Sequence, residues 1–339
     1  MRIGLHVGHW ERRPADAVDL VREAERMGVD SVWTSEAWGS DAVTTISWLA
    51  ARTSTIGVGT AVMQIPARTP AATAMTAITL DHLSGGRFRL GLGVSGPQVV
   101  EGWHGVGSDD PLGRTREYVA IVRAALARNA PLEHHGRHYD LPLREGTGMG
   151  RALKVGVVPL RADLPVYLAA MGPGNVALAA EIADGWLPIL FSPERADLFR
   201  PWLEEGFARR GGPPERFDVA PMAWAAVGED LGSCRDRLRP AIALYVGGMG
   251  ARDRNCYRRM VVRYGYEQEA GLIRDLYLSG RRREAAASVP DALVDEVALV
   301  GSIARIRDRL AVWREAGVTT LLVQTRDRVC LSAVVEAAR

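Results

Sequence analysis

Short apolar runs alternate with amphipathic stretches along most of the chain. Ile3 to Val7 is almost wholly apolar and reads as a buried strand. Pro14 to Met27 then places Ala17, Leu20, Val21, Ala24 and Met27 on one helical face, and Gly28 stops the helix. Ser31 to Thr34 and a helix from Asp41 to Arg52 repeat the pair. The third strand, Ile56 to Val62, is short and β-branched, and Gly57 and Gly59 leave its backbone bare to whatever packs beside it. It opens onto Gln64, Pro66 and Arg68 before Thr69-Pro70 caps a helix that runs to Leu83. Phe88 to Gly93 is the fourth strand, followed by a glycine-rich loop and a helix from Arg114 to Ala127.

Residues 128–164 break the rhythm with a small hairpin around His134 to Asp140, to which the sequence assigns no role. Pairing resumes with Pro165 to Ala170 and a helix from Asn175 to Ala183. Asp184-Gly185-Trp186 then starts a sixth strand, with its helix from Pro193 to Arg210. Val219 to Val227 and a helix from Leu231 to Val246 precede a second interruption at 247–300, which reads as mostly helical. Ser302 caps the last helix, with Ile303, Ile306, Leu310 and Trp313 on its buried face, and Thr319 to Gln324 is the eighth strand. Parallel strands need helical crossovers, so the expectation is α/β: a closed (β/α)8 TIM barrel forming one domain over 1–339, with an open doubly wound sheet as runner-up.

Composition narrows the partners. With 339 residues and 47% hydrophobic content the chain can bury a large core, and its net charge of +2 gives no reason to expect nucleic acid or an anionic membrane. Lys154 is the only lysine among 42 basic residues, a bias spread over the whole chain that reads as a GC-rich genome. Cys234, Cys256 and Cys330 are widely spaced and indicate neither a disulfide framework nor a zinc site. The chain starts on a strand without a signal-like segment and has no span-length apolar run, so a cytoplasmic location is expected.

In a barrel of this type, chemistry sits at the C-terminal ends of the strands. His9 and Trp10 follow the first strand, Glu36, Trp38 and Asp41 the second, and Gln64 and Arg68 the third. Ser95, Gln98, Glu101, Trp103 and His104 follow the fourth; Gly172, Gly174 and Asn175 the fifth; Trp186 the sixth; and Trp224 lies in the seventh. His9 and His104 are candidate proton-transfer groups. Trp10, Trp38, Trp103 and Trp224 make a candidate pocket for a planar substrate. Gly91-Leu-Gly-Val-Ser-Gly96 matches a dinucleotide fingerprint in form but does not open a long helix, whereas Gly172-Pro173-Gly174-Asn175 leads straight into one and offers bare amides to a phosphate. No metal site is expected: Cys-x-x-Cys is absent, and His134, His135 and His138 read as an exposed polar hairpin.

Five stretches together carry a resemblance: 32–41 (Val-Trp-Thr-Ser-Glu-Ala-Trp-Gly-Ser-Asp), 57–63, Asp81-His-Leu-Ser-Gly-Gly-Arg-Phe88, 91–98 and 172–175. Gly247-Gly-Met-Gly250 and Val300-Gly-Ser-Ile303 extend it. The chain resembles the bacterial luciferase-like superfamily, and within it the branch that uses the deazaflavin coenzyme F420. The resemblance implies a barrel whose late insertion, here 247–300, covers the site. It implies a non-prolyl cis peptide at Ala61–Val62 against the deazaflavin ring, with Glu36, Thr60, Ser95, Gly96 and Pro97 lining the ring and Gln98 beside them. It further implies that the cofactor phosphate rests on Gly172 to Asn175 and that Trp38 walls the substrate cavity, and Glu36 is expected to join His9 and His104 in the catalytic set. Sugar-phosphate dehydrogenases of the branch carry a histidine where this chain has Ala37, and a glutamate where it has Gly96-Pro97-Gln98. Reduction of an activated C=C or C=N bond, in a natural product or a peptide dehydroamino acid, is therefore expected, by a homodimer. An FMN-dependent monooxygenase and a non-catalytic flavin-binding relative are the alternatives.

Overall fold

The computed structural model describes residues 1–10, 17–250 and 255–339. Eight parallel strands form the wall of a barrel: Arg2–Gly8, Ser31–Thr34, Gly57–Thr60 continued by Met63–Gln64, Phe88–Gly93, Val166–Leu168, Gly185–Trp186, Asp218–Val219 continued by Met222–Val227, and Thr320–Gln324. The seventh strand closes the wall. Its start pairs with the sixth through Asp218–Gly185 and Val219–Trp186, and its continuation pairs with the eighth through Met222–Leu322. Ala220 N–H donates to Trp186 O (2.8 Å) and Leu322 N–H to Pro221 O (2.9 Å), so the ladder continues across the break. The eighth strand then pairs with the first, Arg2 opposite Thr320.

The expected helices are present with small shifts. The first is Val18–Met27, ended by Gly28 in the left-handed region at φ 80°, which favours glycine; the expected start at Pro14 lies outside the described residues. Thr69 caps Pro70–Leu83 by accepting from Ala72 N–H, and Ser302 caps Ile303–Glu315 by accepting from Arg305 N–H.

Both interruptions are where the sequence puts them. His134–His135 and Asp140–Leu141 pair antiparallel, and the Glu117 carboxylate fixes their turn by accepting from the N–H groups of Arg137, His138 and Tyr139 at 2.9–3.0 Å. The second is helical through Asp291–Val297, but it ends in a strand, Ala298–Gly301, that pairs in parallel with the seventh strand from Trp224 to Val227. The insertion is thus mostly helical, as expected, and that strand is its one departure from helix among the described residues. The sixth strand is too short to cover that edge, and the four buried residues Ala-Leu-Val-Gly satisfy it.

The motif Asp81 to Phe88 is structural. Asp81 is buried and holds Arg161 at 2.5 Å, His82 Nε2 bonds Val158 O, and the Arg87 guanidinium donates to carbonyls of Ala50, Thr53, Ile56 and Ser84. The tail of the first interruption is thereby fastened to the lower end of the barrel. A polar layer fills that end. Asp218 accepts from Tyr167 (3.0 Å) and Thr320 (2.8 Å) and pairs with Arg2, while Arg89 pairs with Asp30 (2.6 Å).

Above this layer the core is shaped by missing side chains. Trp33 lies against Tyr167 with ring centroids 5.3 Å apart, and a Cβ added at Gly59 would stand 2.6 Å from the Trp33 ring. The Gly59→Ala variant is therefore expected to lose about 1–3 kcal/mol of stability by overpacking. Urea denaturation reads this directly, and an unchanged midpoint would show that Trp33 yields.

Candidate active site

The loops at the upper end of the barrel are tied to one another through side chains of the second, third and fourth units. Glu36 is nearly fully buried and its carboxylate is saturated. Arg68 donates through both terminal nitrogens (2.5 and 3.1 Å), Gln64 N–H donates at 2.8 Å, and Ala42 N–H at 3.0 Å. Gln64 passes the linkage on: its Nε2 donates to Ala37 O (2.6 Å), and His104 Nε2 meets its Oε1 at 3.3 Å. An amide oxygen only accepts, so His104 carries its proton on Nε2. The first and second loops dock in the same way, with His9 Nδ1 3.3 Å from Ser35 Oγ, Trp10 N–H donating to Ser40 Oγ, and Ser40 N–H to Trp10 O.

The third strand reaches this level through Thr60, Ala61 and Val62. The Ala61–Val62 peptide is cis, as the resemblance implied. Strand pairing lapses between Gly59–Arg89 and Met63–Leu92, and Thr60 fills the gap: its hydroxyl donates to Gly91 O (2.9 Å) and accepts from Gly91 N–H (3.0 Å). Ala61 N–H donates to Thr34 O, and Glu36 N–H donates to Val62 O. Ser95 takes a positive φ of 60°, and Gly96 leads into a single short helix, Pro97–Gly102, which includes Gln98.

After the fifth strand, Gly172 is the N-cap of helix Pro173–Ile182, and no side chain caps that end. Pro173 has no N–H, and Val176 N–H already donates to Gly172 O. The Gly174 and Asn175 amides are thus the donors the helix start offers, at the positive end of its dipole. A Cβ placed on Gly172 meets nothing within 4 Å. Gly93, Ala169 and Asn175 border one small cavity, which puts this loop beside the one after the fourth strand.

The tryptophans divide. Trp38 and Trp103 are 55% and 65% exposed on the loops of the second and fourth units. Trp224 is buried against Tyr245 (5.4 Å), which in turn meets Tyr257 (4.9 Å), an aromatic ladder running from the barrel into the insertion. Trp186 is buried against Phe191 and Phe199, with its Nε1 donating to Ala170 O.

Sequence reasoning passed over His6. It alternates with Gly4 and Gly8 on the first strand, and a single imidazole between two glycines in an apolar run was the available signal. Its Nε2 lies 3.2 Å from Ala61 O, so Nε2 carries the proton, while Nδ1 is buried beside Gln324 without closing a hydrogen bond. Burial lowers its pKa to about 4, partly offset by the bond to Ala61. The ring is therefore neutral at neutral pH. The unfolded chain binds this proton near pH 6.5 and the folded one only near 4, so its stabilising share is complete above 6.5 and fades as pH falls toward 4. The share lost is about 3 kcal/mol. Denaturation midpoints between pH 7.5 and 4.5 should fall less steeply in His6→Gln than in the parent, and parallel curves would refute this.

Comparison with known proteins bears on the whole of this arrangement. Residues 1–320 match the family model described as luciferase-like monooxygenase. A putative coenzyme F420-dependent oxidoreductase of Mycobacterium tuberculosis is 49% identical over 98% of this chain and 99% of its own. A 5,10-methylenetetrahydromethanopterin reductase of Archaeoglobus fulgidus is 27% identical, over 89% of this chain and 87% of its own. The coenzyme F420-dependent tetrahydromethanopterin reductase of Methanopyrus kandleri superposes with a TM-score of 0.81 at 22% identity, over 99% of this chain and 97% of that one. The chain belongs to the luciferase-like family of (β/α)8 barrel proteins.

Proposed function

We propose that this protein is an F420-dependent oxidoreductase that reduces an activated C=C or C=N bond of a small organic or peptide substrate. The observation that carries the reading is the bare start of helix Pro173–Ile182, where an uncapped glycine turn presents amides to an anion beside the loop of the fourth unit. The near-full-length relative supplies the identity of the cofactor. Bound F420 supplies the hydride; the residues of the chain bind, orient and protonate.

Gly174 and Asn175 hold the cofactor phosphate, and the segment Thr60 to Val62 with Ser95 to Gln98 lines its ring. Glu36, with its four donors, positions the loops and is not itself the proton donor. His104 uses Nε2 to bind Gln64 and exchanges a proton through Nδ1, with His9 as the second candidate. Trp10, Trp38, Trp103 and Trp224 enclose the acceptor.

Titration with F420 and with FMN, following the fluorescence of each, tests the reading: F420 binds at micromolar concentration or tighter and FMN weakly, and the reverse preference sinks it. Gly172 has extended backbone and an open Cβ position, so Gly172→Asp caps the helix and also occupies the anion site. Stability is expected to rise by about 0.3 kcal/mol while F420 affinity falls roughly tenfold or more. An unchanged F420 affinity in the folded variant would place the phosphate elsewhere.

We also infer a homodimer formed through the helices Ala42–Ala50 and Pro70–Leu83. They carry no lysine, arginine or glutamate, and Trp48, Met75 and Leu83 are exposed on them. The hydroxyls of Thr45, Ser47, Thr76 and Thr79 are turned back to helix carbonyls. A surface of this kind, whose cation Arg52 is stacked on the Trp48 ring (4.0 Å), suits a self-complementary contact. Sedimentation velocity should give a dimer that Met75→Arg converts to monomer, and a monomeric parent protein would end the inference.

A further inference from the structure

Gln64 links the loops of the second and fourth units through its side chain. It is 3% exposed, and the two ends of one amide bind Ala37 O and His104 Nε2. The orientation of the amide is fixed, because Ala37 O can only accept a proton and Nε2 must therefore face it. Trp38 follows Ala37 in the chain and Trp103 precedes His104. The two indoles are thus rooted on either side of a single planar group, and both leave more than half their surface in water. Large exposed aromatic surface at the mouth of a barrel marks a binding position. The charged side chains of these loops have partners within the protein: Glu36 and Asp41 with Arg68, Glu101 with the Ser108 hydroxyl, Asp109 with Arg114 and Asp110 with His138. The two indoles are the large apolar faces these loops leave in water.

We propose that Trp38 and Trp103 form an aromatic clamp whose gap is set by Gln64, and that the acceptor carries a flat conjugated ring next to its reducible bond. This deepens the reductase reading and rests on it for the chemistry alone. In that chemistry reduced F420 gives a hydride to the β-carbon of the conjugated C=C bond. The α-carbon takes a proton, the π bond is lost, and the products are the saturated compound and oxidised F420. The clamp grips the ring and leaves the adjacent double bond to the reacting faces. Gln64 is a positioning residue, because it touches neither partner.

The test uses benzylideneacetone and its cyclohexyl analogue, in which a saturated ring of the same size replaces the phenyl. Apolar area and reducible bond are then matched, and only planarity differs. Isothermal titration of the full protein is carried out with oxidised F420 present, so that no turnover occurs, and again without cofactor. The phenyl compound is expected to bind roughly fivefold more tightly, the effect of stacking on two indole faces. Trp103→Leu and Gln64→Leu should each bring that ratio to within about twofold, while thermal unfolding shows that the variants are folded. Trp103 lies on an exposed loop, so its variant reports even if Gln64→Leu does not fold. Equal binding of the two compounds, no binding of either, or an unchanged ratio in Trp103→Leu overturns the clamp. Consumption of benzylideneacetone with reduced F420 is measured separately. Preferential binding without reduction upholds the clamp and removes the reductase reading, and reduction without planar preference does the opposite.

Discussion

The upper end of this barrel depends on a buried charge that cannot be left half-satisfied. An isolated carboxylate in the interior would cost several kcal/mol, so Glu36 persists only because four N–H groups from three places in the chain converge on it. Those donors come from the second helix, the end of the third strand and Arg68. Satisfying one carboxylate thus fixes the relative position of two loops and, through Gln64, of a third. The mouth is built by polar constraint, whereas the walls below it are built by packing.

The two ends of the barrel use polar groups differently. At the lower end, Asp218, Arg2, Tyr167, Thr320, Arg89 and Asp30 form a closed set in which the groups are matched to one another. At the upper end, the start of helix Pro173–Ile182 presents amides with no side-chain cap, and His6 keeps one ring nitrogen without a hydrogen bond. A domain that matches its polar groups at one end and leaves some open at the other has divided stability from binding. The arrangement matches the general rule for barrels of parallel strands.

The fold was legible because its signals are local. Periodicity, caps such as Thr69 and Ser302, and stop glycines such as Gly28 each act within a few residues, and alternation of strands and helices leaves few topologies. The strand Ala298–Gly301 was not legible: four apolar residues after a helix have no period of their own, and their strand character comes from the open edge of the seventh strand. Among site residues, position after a strand identified Glu36, Gln64, Arg68 and His104 as mouth groups. It could not say that Glu36 would be saturated, since that depends on donors 6, 28 and 32 residues away. The packing of Trp186 on Phe191 and Phe199 was hidden for a related reason, because strand alternation does not reveal which neighbour a side chain meets.

The manner in which the insertion ends has an evolutionary consequence. Because Ala298–Gly301 is hydrogen-bonded into the barrel, the insertion is not a cassette clipped between two surface loops. Its downstream end belongs to the wall, and its aromatic ladder is continuous with Trp224. The helices between Ala243 and Val297 can diverge without touching that pairing. A short buried strand must still return to the same edge, so the length and register of the returning segment are constrained where the helices are not.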